Sequence, residues 1–273
     1  MNNSELNVKY SGLVDTKTHA DLVLKDGVIF NNRYDGTPTP GGAVKVRKGG
    51  AVNVSNYDKT NGVEQTERES SWITVEINKD VAINEIIDGY DAASIPDGLV
   101  ADTLSEAAYS MASTLDSDGA YELVTAGTTL EDTDALTKAT VYSKIVDART
   151  ALTRAGVPKG DRYIIVAPEV YALILKCDEF VKPSGLGDAV VQTGAAGSIA
   201  GFTVYESVNL GDGVEFVAGH PGYATRVNAW AVPVNIKDCT DGKHIGASQV
   251  QGRKVYAHKV TNPDCILVKT TNF

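Results

Sequence analysis

The sequence predicts an α+β fold, and three observations carry that prediction. Residues 99–126 place Val100, Leu104, Ala107, Ala108, Met111 and Leu115 at helical spacing, which makes one apolar stripe. Residues 141–180 alternate helix, strand and helix signals. Before and after them lie short runs rich in β-branched and aromatic residues, at 72–77, 202–207, 214–217, 227–234, 254–260 and 265–270.

From the N-terminus, residues 1–33 are mixed, with one apolar run at Val28-Ile29-Phe30, and read as an extended arm. Asn32-Arg33-Tyr34-Asp35-Gly36, followed by Pro38, Pro40, Gly41 and Gly42, is turn chemistry, because Gly permits positive φ and Pro forbids helix. Ala43-Val44-Lys45-Val46-Arg47 alternates, Lys48-Gly49-Gly50 turns, and Val52-Asn53-Val54-Ser55 alternates again. That pattern predicts a β-hairpin of 43–47 with 52–55. Residues 56–71 are almost wholly polar, so the 34–71 segment carries few apolar side chains and no core of its own. An isolated hairpin is marginal in water, so this segment is either an arm ordered on another surface or a mobile loop.

Trp72–Ile77 reads as a strand, and Ala82–Ile87 continues as strand or short helix. Ser94-Ile95-Pro96-Asp97-Gly98 breaks the chain before the long helix, in which Asp102, Glu106 and Asp116 fall largely off the apolar stripe and Gly119 is a possible kink. Thr133 or Asp134 is expected to cap the next helix, whose stripe is Val141, Ile145, Ala148 and Leu152. Gly156 stands at its C′ position with Pro158 just beyond. The strand at 163–167 is apolar enough for burial on both faces, and Pro168 opens a helix with Val170, Leu173, Ile174 and Cys177 on one side. Residues 181–197 are Gly-rich and read as a loop. The runs at 254–260 and 265–270 read as a terminal strand pair around Asn262-Pro263-Asp264.

Composition narrows the function. The chain has 273 residues and 42% hydrophobic content, which is ordinary for a globular protein with a real core. Cys177, Cys239 and Cys265 are scattered without metal or redox spacing, as expected of reduced thiols. No signal pattern opens the chain and no apolar run is long enough to span a bilayer, so the expectation is a soluble protein made inside a cell, with no membrane partner. The net charge of -10 argues against a general nucleic-acid binder. Residues 76–131 hold one basic group, Lys79, against 12 acidic ones, while the two flanks are close to neutral. Such a run is either a solvated helix face or a face that repels DNA or attracts a basic partner.

The sequence offers no reaction centre. Gly185-Leu186-Gly187-Asp188-Ala189-Val190 and Gly194-Ala195-Ala196-Gly197 both miss the glycine pattern of a phosphate loop. Ser198 directly follows Gly197, so Gly197–Gly201 is no nucleophile elbow. His19, His220, His244 and His258 are isolated, with no zinc spacing, and His220 reads as a turn histidine. We therefore expect no catalytic residue, cofactor or metal.

The order of parts over 141–207 carries a resemblance. A helix ends in Ala155-Gly156-Val157-Pro158, and the strand Arg162-Tyr163-Ile164-Ile165-Val166-Ala167 follows. Pro168-Glu169-Val170-Tyr171 starts a helix, and Gly197-Ser198-Ile199-Ala200-Gly201-Phe202-Thr203-Val204-Tyr205-Glu206-Ser207 comes after the Gly-rich passage. This resembles the axial domain of tailed-bacteriophage major capsid proteins, the Hong Kong 97-type fold. The likeness extends over residues 28–273, with Asn32–Gly36 and Gly41–Val46 similar to the start of the family's extended loop and Lys254-Val255-Tyr256-Ala257 similar to its return strands. It implies an N-terminal arm at 1–33, an extended loop at 34–71, a peripheral domain at 72–131 and 226–273 with a spine helix near 99–126, and an axial domain at 132–225.

The resemblance further implies a shell subunit, made in the bacterial host cytoplasm and located in the virion, that assembles into pentamers and hexamers of an icosahedral head around double-stranded DNA. An encapsulin-like compartment shell is the alternative, although its loop is typically shorter. The implied partners are copies of itself, a portal, a separate scaffolding protein and packaged DNA by weak non-specific proximity. A cleaved scaffolding extension, known in some members, finds no place here because loop-like residues begin by 34. The crosslinking lysine of other members does not transfer to Lys45, Lys48 or Lys59 on so generic a pattern. Candidate intersubunit contacts are Val44, Lys45, Val46, Arg47, Lys48, Val52 and Val54. Alternation would turn the valines to a neighbour and free the cations to reach carboxylates there, unless they are solubilising charges on an exposed edge. Asp102, Glu106, Asp116 and Asp118 are expected to face the interior and repel DNA.

Overall fold

A computed structural model describes residues 19–35, 42–50, 52–64, 67, 70–90, 99–177, 197–240 and 242–271. Residues 1–18 of the expected arm, the turn at 36–41 and the Gly-rich passage 178–196 lie outside the described residues, as do Gly185–Val190 and Gly194–Ala196. The elements run β1 (Ala43–Gly49), β2 (Ser70–Glu76), β3 (Lys79–Ile87), α1 (Leu99–Ala126), β4 (Thr128–Thr129), α2 (Val141–Arg154) and β5 (Tyr163–Val166). They continue as α3 (Pro168–Leu175), β6 (Ser198–Ile199), β7 (Phe202–Glu206), β8 (Val214–Gly219), β9 (Ala224–Asp238), β10 (Ser248–Val260) and β11 (Ile266–Thr270). The strands form three sheets, β1-β2, β3-β10-β9 and β4-β11-β8-β5-β7-β6, which makes the fold α+β.

The six-stranded sheet holds the main core because its central strand is apolar on both faces. Ile164 and Val166 of β5 meet Val141, Ile145, Ala148 and Leu152 of α2 and Val170 and Ile174 of α3. Tyr163 and Ile165 point the other way, to Leu24, Ile29 and Phe30 of the N-terminal segment and Leu123 of α1. Period-two alternation thus divides one strand between two cores. The α2 stripe is buried as expected, and α2 ends in a Schellman motif: Val157 N–H donates to the Leu152 carbonyl and Gly156 N–H to Thr153, with Gly156 at φ +77°. Its N-cap is Thr140 rather than Thr133 or Asp134, because the chain from 132 to 137 runs without helix before a turn at 138–140.

Helix α1 spans 28 residues, and Gly119 lies within it. A side chain at 119 would come within 2.9 Å of the Phe30 ring, so the glycine makes room for the N-terminal segment against the helix. Two positions differ from expectation: Ala108, placed on the stripe, is exposed, whereas Asp116, placed off it, is only 3% exposed. The three-stranded sheet packs on the same helix through Val250, Ile87, Ile83 and Val234 against Ala107, Val100 and Leu104.

Two pairings differ from the sequence reading. Strand β1 pairs with β2, Val44 opposite Val75 and Val46 opposite Ile73, while 52–57 forms no strand. Sequence proximity favours the nearer partner, but Trp72–Ile77 supplies a third inward residue, Val75, and the pair closes over Val227 and Ala257. The expected terminal pair does not form either. Strand β10 pairs with β9 and β3, and β11 joins β8 and β4 in the six-stranded sheet, because the 3-10 turn Pro263–Cys265 carries the chain from one sheet to the other.

Candidate assembly surface

The β1–β2 pair has two unlike faces. Its inner face, Val44, Val46 and Val75, is buried against Val227 and Ala257 of the same chain. Val44 and Val46 therefore have cover within the subunit and are not open to a neighbour, which corrects the expectation for those two residues. Lys45, Arg47 and Lys48 are exposed, and Arg47 lies directly opposite Trp72, itself 61% exposed. Beyond β1 the chain leaves Val52 69%, Val54 90% and Tyr57 75% exposed.

The acid-rich span behaves differently from a charged wall. Asp116 accepts the backbone N–H groups of Val23 and Leu24 at 3.1 and 2.8 Å and the Asn209 amide at 2.9 Å. It thereby fastens the N-terminal segment to α1. Asp118 accepts from Lys79 at 2.8 Å and from the Tyr256 hydroxyl at 2.6 Å. Burial alone would raise the Asp118 pKa, but these two donors hold it below the ordinary carboxylate value. Glu122 accepts from Val260 N–H, and Glu106 meets His19 at 2.9 Å, where the imidazole stacks on Tyr109. Asp116, Asp118, Glu106 and Glu122 thus bind their own subunit, and Asp116, being buried, presents no carboxylate to DNA, which corrects the expectation for that residue.

A second buried polar group secures the same segment. Arg226, 5% exposed, donates to Asp26 at 2.9 Å, to the Leu24 carbonyl at 2.8 Å and to His258 Nε2 at 2.7 Å, and its guanidinium lies over Phe30. A neighbouring guanidinium donor requires a neutral acceptor nitrogen, and burial followed by the charge of Arg226 lowers the His258 pKa to about 3. Elsewhere, Lys269 is 1% exposed and donates to the carbonyls of Asp132 and Asp134, which fixes the link between α1 and α2. Arg162, 2% exposed, donates to the carbonyls of Val157, Pro158 and Arg149 around the end of α2.

Sequence reasoning passed over Arg226 and Lys269, and it placed Asp116 on the exposed side of the helix and Arg162 in a strand without seeing either as a buried anchor. The available signal was a charge among apolar neighbours, as in Ile266-Leu267-Val268-Lys269. His220 caps the turn at Pro221–Tyr223 by accepting from Gly222 N–H. Among the described residues no group of three or more His, Cys, Asp or Glu side chains is arranged to hold a metal. No described helix is long and apolar enough to cross a membrane.

Residues 69–268 match the family model for phage capsid protein. The chain belongs to that family. The capsid protein also resembles a structure from Mycobacterium phage Che8, at 22% identity and a TM-score of 0.83, with 98% of each chain covered. The capsid structure of cyanophage P-SCSP1u gives a TM-score of 0.82 at 14% identity, covering 98% of this chain and 94% of that one. The capsid of Myoviridae phage XM1 gives 0.66 at 14% identity, covering 100% and 99%. These likenesses carry the fold. No match was found among curated protein sequences. The protein is therefore a phage capsid protein, and its place is the virion capsid. The encapsulin-like alternative gains no support from these matches.

Proposed function

We propose that the capsid protein forms pentamers and hexamers that close into an icosahedral head around double-stranded DNA. In this reading residues 1–33 are an N-terminal arm, 34–71 the extended loop, 72–131 and 226–273 the peripheral domain with α1 as its spine helix, and 132–225 the axial domain. Two of the cores favour that division, one uniting α2, α3 and β5 and the other placing α1 beneath the three-stranded sheet, while a third joins β5 and β11 to Leu123 of α1 across it. The protein's role is structural rather than enzymatic. A portal and a separate scaffolding protein are the further partners, and DNA lies near the shell without specific contacts.

The observation that carries the assembly reading is the exposed run Val52, Val54 and Tyr57 beside Lys45, Arg47 and Lys48. Such a surface gains free energy when a second copy covers it, and head-to-tail contacts close into rings when the rotation permits. The test is light scattering and negative-stain microscopy of purified protein across salt and concentration. Rings or closed particles are expected; a compact monomer under every condition would refute the reading.

A further inference from the structure

The clamp on residues 19–31 contains a joint that a proton can break. This segment lies on α1 and on β9, and its inner side chains Leu24, Ile29 and Phe30 are buried with Leu123 of α1. One guanidinium ties the polar side of the crossing. Arg226 of β9 donates through Nη2 to the Leu24 carbonyl at 2.8 Å and through Nη1 to Asp26 at 2.9 Å. Its Nε donates to His258 Nε2 at 2.7 Å. The guanidinium is always charged and only donates, so the ring nitrogen it meets carries a lone pair. His258 is therefore neutral while the clamp is closed. Phe30 covers the same imidazole from the segment side, with the two rings 4.9 Å apart.

The groups around His258 leave a proton poorly accommodated there. Arg226 on β9, Lys254 on β10 and Lys79 on β3 turn positive charge toward it, and Asp118 of α1 turns negative charge toward it. Tyr256 of β10 meets the imidazole edge-on, and Asp26 of the segment lies on Arg226. Both carboxylates already have partners: Asp118 accepts from Lys79 and Tyr256, and Asp26 accepts from Arg226. A protonated ring would stand against the Arg226 guanidinium as a like charge at hydrogen-bond distance. Closure of the segment and a proton on His258 thus exclude one another. We infer that residues 19–31 are an acid-releasable strap, held down by Arg226 while His258 is neutral and kept open, with the six-stranded sheet still folded, by the proton that His258 takes up when Phe30 and Asp26 lift away. The strap leads directly to residues 1–18, so it governs how firmly the N-terminal end of the chain is tied to the body of the subunit.

Proton linkage sets the range in which acid acts. The closed imidazole titrates at about 3, and an uncovered one near 6.5, so the lifted state binds the proton first as pH falls. Below about pH 6.5 each pH unit raises the ratio of lifted to closed strap about tenfold, which makes about a hundredfold between pH 7.5 and 4.5. Hydrogen exchange of the full chain, followed by mass spectrometry over that range and corrected for the intrinsic rate, reads this ratio segment by segment. His19, the segment's own histidine, meets Glu106 at 2.9 Å, so every protein compared carries His19→Gln. Protection of residues 22–31 is expected to fall about a hundredfold while the buried strand β5 keeps its protection. Adding His258→Gln, which can still accept from Arg226, is expected to make protection of 22–31 independent of pH. An equal fall with and without His258 would overturn the strap. Should the His258 variant not fold, the parent profile decides alone: protection of 22–31 that does not change with pH, or that falls in step with β5, overturns it too.

Discussion

Asp116 shows how one side chain can set the path of a distant segment. Its carboxylate lies in α1, yet it satisfies the backbone N–H groups of Val23 and Leu24, which would otherwise be buried without acceptors. Leaving such donors unpaired costs about 1–3 kcal/mol each. Asp116→Ala is therefore expected to destabilise the subunit by about 2–4 kcal/mol, measured by urea unfolding. Proteolytic cleavage near residues 19–31 should quicken at the same time. Asn in place of Asp, which keeps one carbonyl acceptor, should lose less. His258 gives a second expectation at this scale. Its folded pKa is about 3 and its unfolded value is near 6.5, so the unfolded chain binds the proton first as pH falls. Arg226, Lys254 and Lys79 surround it with positive charge, offset in part by Asp118. Stability from the neutral imidazole is complete above about pH 6.5 and declines by about 1.4 kcal/mol per pH unit down to about pH 3. His258→Gln, which can still accept from Arg226, should remove that share of the slope in pH-dependent unfolding.

At the scale of elements, the β1–β2 pair separates folding from assembly. Val46 is 7% exposed and packs on the subunit's own sheet, whereas Val54 is 90% exposed. Val46→Ala is expected to cost about 1–2 kcal/mol in monomer unfolding, as other large-to-small core changes do. Val54→Asp should stay within about 0.5 kcal/mol of wild type in that assay, yet lower particle yield. If Val54→Asp unfolds the monomer instead, the exposed loop has a folding role. Elements also explain why pairing was the least legible feature. The alternation at 43–47, 52–55 and 72–77 is similar in each run, and periodicity alone says which face is apolar, not which strand lies alongside. The helices were more legible because hydrogen bonds within each helix need no distant partner. Stripe and stop signals placed α2 and its Schellman end correctly, and only the cap residue moved.

For the whole molecule, the charge distribution matters through assembly. Much of the acidic excess of residues 76–131 is committed within the subunit, while Lys45, Arg47 and Lys48 remain exposed on the loop. Exposed ion pairs contribute about 0.2–1 kcal/mol each and weaken with salt. Repeated around a ring, contributions of that size decide closure. Particle yield of the Lys45→Ala, Arg47→Ala, Lys48→Ala triple variant is therefore expected to fall and to lose its salt dependence, measured by sedimentation across a salt series. Equal yield and equal salt sensitivity would assign the contact to Val52 and Val54 rather than to the charges.

The sequence by itself determined the α+β class, the long helix at 99–126, the buried strand of β5, the Gly156 stop, the lack of any recognisable reaction-centre motif and the family to which the chain is similar. These are local periodicities, or an order of parts along the chain, and both are visible without knowing what packs where. Only the tertiary structure decided that β2 is the partner of β1, that β10 and β11 belong to different sheets, and that Asp116, Arg226 and Lys269 are buried anchors. It also decided which of the loop valines remain exposed. Burial is a property of the neighbours a residue acquires on folding. Val44 and Val54 are the same amino acid in similar alternating runs, and one lies under Val227 and Ala257 while the other meets only solvent in the isolated subunit.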